Sequence, residues 1–555
     1  MSGTDGGREA EAVAVATRRP MGGQRALQLD AAVVGAGFGG LYMLHRLREA
    51  GLEALSFETG DEVGGTWYWN RYPGARCDVE SLEYSYGFDD QLQQEWEWSE
   101  RYAGQPEILR YARHVADRYR LRPHIRFSTT VTAATYDEEQ AHWSIRTDRG
   151  DRVLARFLIM ATGCLSATNV PAFEGMDDFA GPIHHTSRWP EEGVDFAGQR
   201  VGVIGTGSSA VQAIPVIARQ AAELVVFQRT ANYVVPARNR PLDPAEQAAV
   251  KADYARFRAR NRTMPGAFGS GYRWSTTSVF EVTPDERERE FEWRYQEGGF
   301  VILGSFGDTA LSLEANAFPA DFVRRKIRQV VEDPEVAALL TPKQAFGCKR
   351  LCLDTGYLET FNLPHVQLVD VSEHPIERVT ETGVVTGSRH FELDCLVMAT
   401  GFDAMTGAVL RVDVRGRGGR TMQEAWAAGP STYLGLGVPG FPNLFIVAGP
   451  GSPSVLANMF VAIEQHVDWI ADCLAHLEAG GYRTIEATDR AAEEWVAHVN
   501  EVASHTLFPT CNSWYLGANI PGKRRVFMPL PNFPPYAQRC REVAAAGYEG
   551  FKLGR

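Results

Sequence analysis

Two glycine-rich turns, each ending an apolar strand and opening a helical pattern, constrain what this chain can fold into more than any other feature. In the first, Ala31-Ala32-Val33-Val34 runs into Gly35-Ala36-Gly37-Phe38-Gly39-Gly40, and apolar residues then recur at Leu41, Leu44 and Leu47. Gly35 permits the tight turn, Gly37 lets backbone approach a pyrophosphate, and Gly40 lets helix pack on strand. The helix N-terminus turns free N–H groups toward the anion. Glu58 closes the next strand, Ala54-Leu55-Ser56-Phe57, at the spacing of an acid that accepts hydrogen bonds from a ribose. The second turn, Gly205-Thr206-Gly207-Ser208-Ser209-Ala210, follows Val201-Gly202-Val203-Ile204 and has Ala in place of the third glycine. Its next strand ends in Gln228-Arg229-Thr230, not in an acid. An acid there would repel a 2′-phosphate, whereas Arg can hold one bidentately. The first turn therefore reads as an FAD site and the second as an NADP site. The expected fold is α/β, with two Rossmann-like dinucleotide-binding domains.

Two further stretches are too aromatic for ordinary surface loops. Residues 64 to 78 read Gly-Gly-Thr-Trp-Tyr-Trp-Asn-Arg-Tyr-Pro-Gly-Ala-Arg-Cys-Asp, which must pack against something flat, either an aromatic cluster or a planar ring system. Between the glycine turns, Phe179, Gly181, His185, Trp189 and Pro190 are spaced Phe-x-Gly-x3-His-x3-Trp-Pro. By residue type alone this is an aromatic loop ahead of a strand, with Gly181 in a turn and His185 bonded to backbone. In its position between two dinucleotide turns, the spacing resembles the fingerprint of type I Baeyer–Villiger monooxygenases, flavoproteins that insert one oxygen atom beside a ketone carbonyl. Gly65-x-Trp67-x4-Tyr72-Pro73-Gly74-x3-Asp78 resembles a second signature of that family, close to its phenylacetone and steroid monooxygenase-like members.

The resemblance implies roles residue by residue. It puts Gly65, Thr66, Trp67, Tyr68, Trp69, Asp78 and Tyr84 on the flavin, and Val131 on the adenine side of the flavin nucleotide. Arg76, Cys77 and Asp78 then face the nicotinamide cofactor, and Gln212 joins the second glycine turn in holding it. The segment Phe346 to Tyr357 resembles the family's Lys-Arg segment, which implies Lys349 beside Arg229 on the 2′-phosphate and Arg350 over the flavin. Trp514 occupies the place of a C-terminal tryptophan that contacts NADP. Ser454, Val455, Leu456 and Met459 fall in the substrate-pocket loop, where residue size tunes which ketone fits. Cys164 stands where many relatives carry Gln, and its plain reading is a small buried filler. The implied reaction has NADPH reduce FAD, O2 enter as co-substrate, and a flavin peroxide attack the ketone to give an ester or lactone. Arg350, oriented by Asp78, would stabilise the anions.

The rest of the chain bounds these expectations. A formal charge of -13 on 555 residues argues against a nucleic-acid surface, so the single Arg415-Gly416-Arg417-Gly418-Gly419-Arg420 run reads as a hairpin turn. The eight cysteines are scattered without a Cys-x-x-Cys pair, which suggests no disulfide framework and no metal site; reduced thiols and a cytoplasmic location are expected. Residues 1–29 read as a disordered tail without a signal-peptide core, and no apolar run approaches a membrane span. Residues 30–163 and 396–555 are expected to form the FAD domain, 164–235 and 346–395 the NADP domain, and 236–345 a helical insertion. In that insertion the charges from Asp285 to Glu297 read as a solvated helix face, and Trp274, Trp293 and Phe300 as its own core. A small-molecule ketone is the only partner implied, with no obligate protein partner. Three rivals remain open. A flavin monooxygenase that oxidises amines or sulfides shares both glycine turns but not Trp189-Pro190 and Arg350. A disulfide reductase lacks its cysteine pair here. A non-catalytic NADP sensor needs neither the aromatic wall nor Arg350.

Overall fold

A computed structural model describes residues 26–555. Most of the expected tail lies outside the described residues, but its end does not behave as a tail, because the first strand already begins at Leu27 and runs Leu27–Val34. Its last four residues are buried. The reason is position: the strand lies between Arg152–Met160 and Ala54–Phe57, parallel to both, and a central parallel strand is covered on both faces.

This first, eight-stranded sheet continues outward through His142–Thr147, Val131–Asp137 and Asp413–Arg415 on one side and through Ile125–Arg126 on the other. Arg152–Met160 changes neighbours along its length. Near its start it pairs antiparallel with His142–Thr147, and at its end Leu158, Ile159 and Met160 pair with Leu444–Ile446, so a strand from late in the chain returns to the first sheet. The second sheet has five parallel strands in the order Val366–Asp370, Glu223–Gln228, Arg200–Ile204, Cys395–Met398 and Ile183–His185. The aromatic linker is therefore not merely a loop, since its Ile183–His185 segment is an edge strand.

Residues 236–345 carry the helices Pro244–Lys251, Tyr254–Asn261, Pro284–Glu297, Leu313–Val330 and Pro334–Leu340. The charged Pro284–Glu297 helix starts on a Thr283/Glu286 capping box, which satisfies orphan N–H groups at its first turn. Its face is not uniformly solvated, because Arg294 is buried and donates to the carbonyls of Val301 (2.9 Å) and Arg273 (2.7 Å). The three aromatics do not form one core. Trp293 is 46% exposed, Trp274 is tied locally to the Gly269 carbonyl, and Phe300 packs into the core of the second sheet.

The cysteine expectation needs a correction. Cys348 and Cys511 are joined in a disulfide, with Cα atoms 6.2 Å apart, while the other six are buried thiols. A pairing made across 163 residues by the fold leaves no local spacing to read. Among the described residues no helix is long and apolar enough to cross a membrane, and no group of three or more His, Cys, Asp or Glu is placed to hold a metal. Arg417 in the short arginine-glycine run is neutralised by Glu138 and Glu486, as a turn residue would be.

Candidate active site

A cavity of 530 Å³ opens between the two glycine turns. Gly35 turns at φ +106°, and a Cβ there would lie 2.6 Å from the Ala161 carbonyl oxygen, so only glycine fits. Gly35, Gly37, Phe38 and Gly39 face the cavity, while Gly40 lies beneath the turn. Glu58 also faces it. Its carboxylate accepts from the backbone of Ala36 (2.7 Å) and Gly60 (2.8 Å), and burial raises its pKa against those bonds.

Gly65, Thr66, Trp67, Trp69, Tyr84 and Val131 line the same wall, and the Trp67 indole donates to the Tyr84 hydroxyl at 3.1 Å. Tyr68 does not belong with them. It points the other way, its hydroxyl on Asp61 at 2.5 Å, because its side chain leaves the Thr66–Trp69 helical turn on the side away from the cavity.

From the second turn, Ser208, Ser209 and Gln212 reach the cavity. Gly205, Thr206, Gly207 and Ala210 are set back from it; Thr206 donates to the Thr230 carbonyl at 3.0 Å, and Ala210 is fully buried. Gln212 fastens the two halves of the site together. Its oxygen accepts from the Tyr72 hydroxyl (2.8 Å) and the Arg76 backbone (3.3 Å), and its amide donates to the Arg76 carbonyl (3.1 Å). The Arg76 guanidinium is itself occupied by Glu100 and the Tyr102 carbonyl, both at 2.7 Å. Beside it, the buried Cys77 thiol is pushed up by burial and by the charge of Asp78.

Arg229, Thr230 and Lys349 sit outside the cavity wall, with Arg229 and Thr230 exposed. Burial lowers the Lys349 ammonium, and the neighbouring charge of Arg229 lowers it further. Among the described residues neither cation has a carboxylate partner. Two mutually repelling cations with no acid between them make a site for an anion.

Arg350 lines the cavity. Its Nε and Nη2 donate to the two oxygens of Asp78 at 2.7 and 2.6 Å, and Nη1 donates to the Val455 carbonyl at 2.7 Å. Burial alone would lower the guanidinium, but the Asp78 carboxylate outweighs it and holds Arg350 protonated well above its ordinary value. Phe300 lies under the guanidinium, 5.0 Å from carbon to ring centroid, and the Arg294 bond to Val301 fixes the turn that carries it. Tyr515, fully buried beside Arg350, is pushed up to about 12 by burial against that positive charge. Residue-type reasoning missed both Phe300 and Tyr515. The Gly298-Gly299 pair marks a tight turn ahead of Phe300, and Tyr515 directly follows Trp514, which lines the cavity half-exposed.

In the pocket loop, Val455 and Met459 face the cavity, whereas Ser454 and Leu456 do not. Ser454 is buried and its hydroxyl donates to the Ala448 carbonyl at 3.0 Å; the tight Ser454–Leu456 turn exposes one side chain of its three. Cys164 also lines the cavity as a buried thiol raised by burial.

The linker fingerprint braces the site from behind. His185 Nε2 meets Thr400 Oγ1 (3.1 Å) and the Asn169 carbonyl (3.3 Å), and its Nδ1 accepts from the backbone and hydroxyl of Ser187. Burial pushes this imidazole down to about 4, so it stays neutral and links the two chain crossings at 169 and 400. A Cβ on Gly181 would fall 2.2 Å from the Asp394 carbonyl, and Trp189 and Phe179 are buried in the clusters that pack on the second sheet. Pro190 accepts from the backbone of Gly193. None of the five lines the cavity, although Ser187 and Arg188 between them do.

Residues 32–252 match the pyridine nucleotide-disulphide oxidoreductase family model. The chain is 46% identical over 504 residues to a Baeyer-Villiger monooxygenase of Pseudooceanicola batsensis, covering 90% of this chain and 91% of that one. It is 44% identical over 532 residues to the acetone monooxygenase (methyl acetate-forming) of Gordonia sp., covering 95% and 99%. It superposes with a TM-score of 0.90 and 53% identity on an oxidized steroid monooxygenase bound to NADP, over 95% of this chain and 99% of that one. Identity of this order across nearly the whole of each relative shows that the chain belongs to the Baeyer–Villiger monooxygenase family.

Proposed function

We propose that the chain binds FAD along the 35–40 turn and NADPH along the 205–210 turn, and uses O2 to convert a small-molecule ketone into an ester or lactone. The residues fit both cofactors: a glycine turn with an acid beyond it, an aromatic wall, and an Arg229/Lys349 couple that has no carboxylate partner among the described residues, for a 2′-phosphate. Bound FAD, reduced by NADPH, supplies the oxygen chemistry itself.

The chain's own task is to hold charge and keep water out, and the observation that carries this reading is the placement of Arg350. A guanidinium has five N–H groups. Asp78 and Val455 engage three of them, and the Tyr515 hydroxyl bonds to the same guanidinium, so the group is held from three sides where it borders the cavity. Because Arg350 keeps its proton at any working pH, it offers a fixed positive charge to negative charge developing on oxygen. Asp78 sets its plane and direction. Trp67, Tyr84, Val455 and Phe460 exclude water from the same space. Val455 and Met459 are the residues whose size selects the ketone, and Trp514 with Arg229 and Lys349 holds NADP. Dependence on NADPH favours a cytoplasmic location.

A panel of ketones and amines incubated with NADPH, O2 and the FAD-loaded chain tests the reading. Ester or lactone formation matched to NADPH consumption is the expected result; N-oxides with no ester would favour the amine-oxidising rival.

A further inference from the structure

The Cys348–Cys511 disulfide joins two loops that both reach the active site. Cys348 immediately precedes Lys349 and Arg350, and Cys511 lies just before Trp514 and Tyr515. Beyond Phe346, whose backbone is held on both sides by the buried Asn316 amide, the first loop is otherwise weakly tied. Among the described residues the backbone N–H groups of Lys349, Arg350 and Leu351 find no backbone acceptor, and that of Cys348 reaches Ala345 only at 3.5 Å. On the other side the Ser513 hydroxyl is buried without a hydrogen-bond partner among the described residues. Side chains hold Arg350 at its tip, but the covalent link is what ties its backbone to the segment bearing Trp514.

We infer that Cys348 and Cys511 form a thiol–disulfide site that positions the two halves of the NADP-binding face, closed by oxidation and opened by reduction. The inference rests on the function proposed above. In a cytoplasmic chain thiols are normally kept reduced, so a disulfide there is a responsive bond and not a permanent staple. The oxidant is hydrogen peroxide, which a flavin oxygenase releases whenever O2 is reduced without oxygen reaching the ketone. Both cysteines are buried, but Cys511 is the less so, 8% exposed and flanked by the exposed residues Thr510 and Asn512, whereas Cys348 is fully buried. Cys511 thiolate therefore attacks peroxide, giving a sulfenic acid and hydroxide. The Cys348 thiol then displaces the oxygen, forming the S–S bond and water. Two thiols are oxidised by two electrons, and one O–O bond is reduced.

The test uses the full FAD-loaded chain after dithiothreitol or after hydrogen peroxide. Denaturing thiol titration should find eight thiols in the first sample and six in the second, with the Cys348 and Cys511 peptides linked. NADP+ binding to the oxidised flavoprotein, by equilibrium dialysis, should be roughly tenfold weaker in the reduced form. Cys511→Ser should match the reduced form and ignore both reagents. Eight thiols after peroxide would overturn the inference, as would a linked pair with equal NADP+ affinity in both forms. Neither readout depends on ketone oxidation, so loss of the functional reading and loss of this one are distinguishable. Chemical reduction of the unmodified chain keeps the test valid if the variant fails to fold.

Discussion

Arg350 and Asp78, 272 residues apart in the chain, face each other as a two-pronged ion pair at 2.6 and 2.7 Å, both partly buried. Such a pair contributes little to net stability but is costly to break, because the surviving partner keeps its desolvation without compensation. Asp78→Ala is therefore expected to lower stability by about 3 kcal/mol and to release Arg350 from its aim. Asp78→Asn, which keeps one acceptor, should fall between. Thermal unfolding and product assays on both variants check the ordering; equal behaviour of all three proteins would contradict the orienting role.

Arg229 and Lys349 are close enough that the charge of one lowers the ammonium of the other, and among the described residues neither has a carboxylate partner. Arg229→Ala is expected to raise KM for NADPH roughly tenfold or more and leave that for NADH nearly unchanged, since a charge-assisted bond to phosphate is worth about 1.5–3 kcal/mol. Steady-state kinetics with the two coenzymes decides it, and an unaltered preference would mean the 2′-phosphate lies elsewhere.

Phe300 follows the charged Pro284–Glu297 helix yet lies under the Arg350 guanidinium. A partly desolvated cation–π contact is worth about 1 kcal/mol, so Phe300→Leu should cut ketone turnover about fivefold, leave flavin reduction by NADPH intact, and be rescued by Phe300→Tyr. No difference between the Leu and Tyr variants would leave Phe300 as packing alone.

Glu83 is buried with both oxygens against the Gly269 backbone, and burial, reinforced by Glu80, pushes it up to about 8. The folded chain therefore keeps a proton that the unfolded chain has lost above about 4.5. More protons bound in the folded state means stability falls as pH rises through this window, by at most about 1.4 kcal/mol per pH unit. Glu83→Gln should flatten that decline between pH 5 and about 8, as read from Tm against pH; an unchanged slope would contradict it.

Much of the framework was legible because glycine chemistry is local. Gly35 must turn with positive φ, and the residues around 35 and 205 carry that requirement in their own spacing. Arg350 and Asp78 could be linked only through family resemblance, since nothing local ties positions 78 and 350. Tyr68, Ser454 and Leu456 were misplaced because a motif names a segment, while helical phase decides which of its side chains faces inward. Phe300 looked like insertion core because an aromatic that packs on a cation has the same periodicity as one that packs on leucine. The Cys348–Cys511 link had no spacing to betray it.

The central claim is that Arg350 serves oxygen insertion and not cofactor reduction. In Arg350→Ala, rapid-mixing absorbance should show flavin reduction by NADPH within a few-fold of the unmodified chain, while ester formation from the same ketone falls at least on the order of a hundredfold, the loss of about 3 kcal/mol of charge stabilisation. Ester formation retained at the unmodified rate would contradict the account.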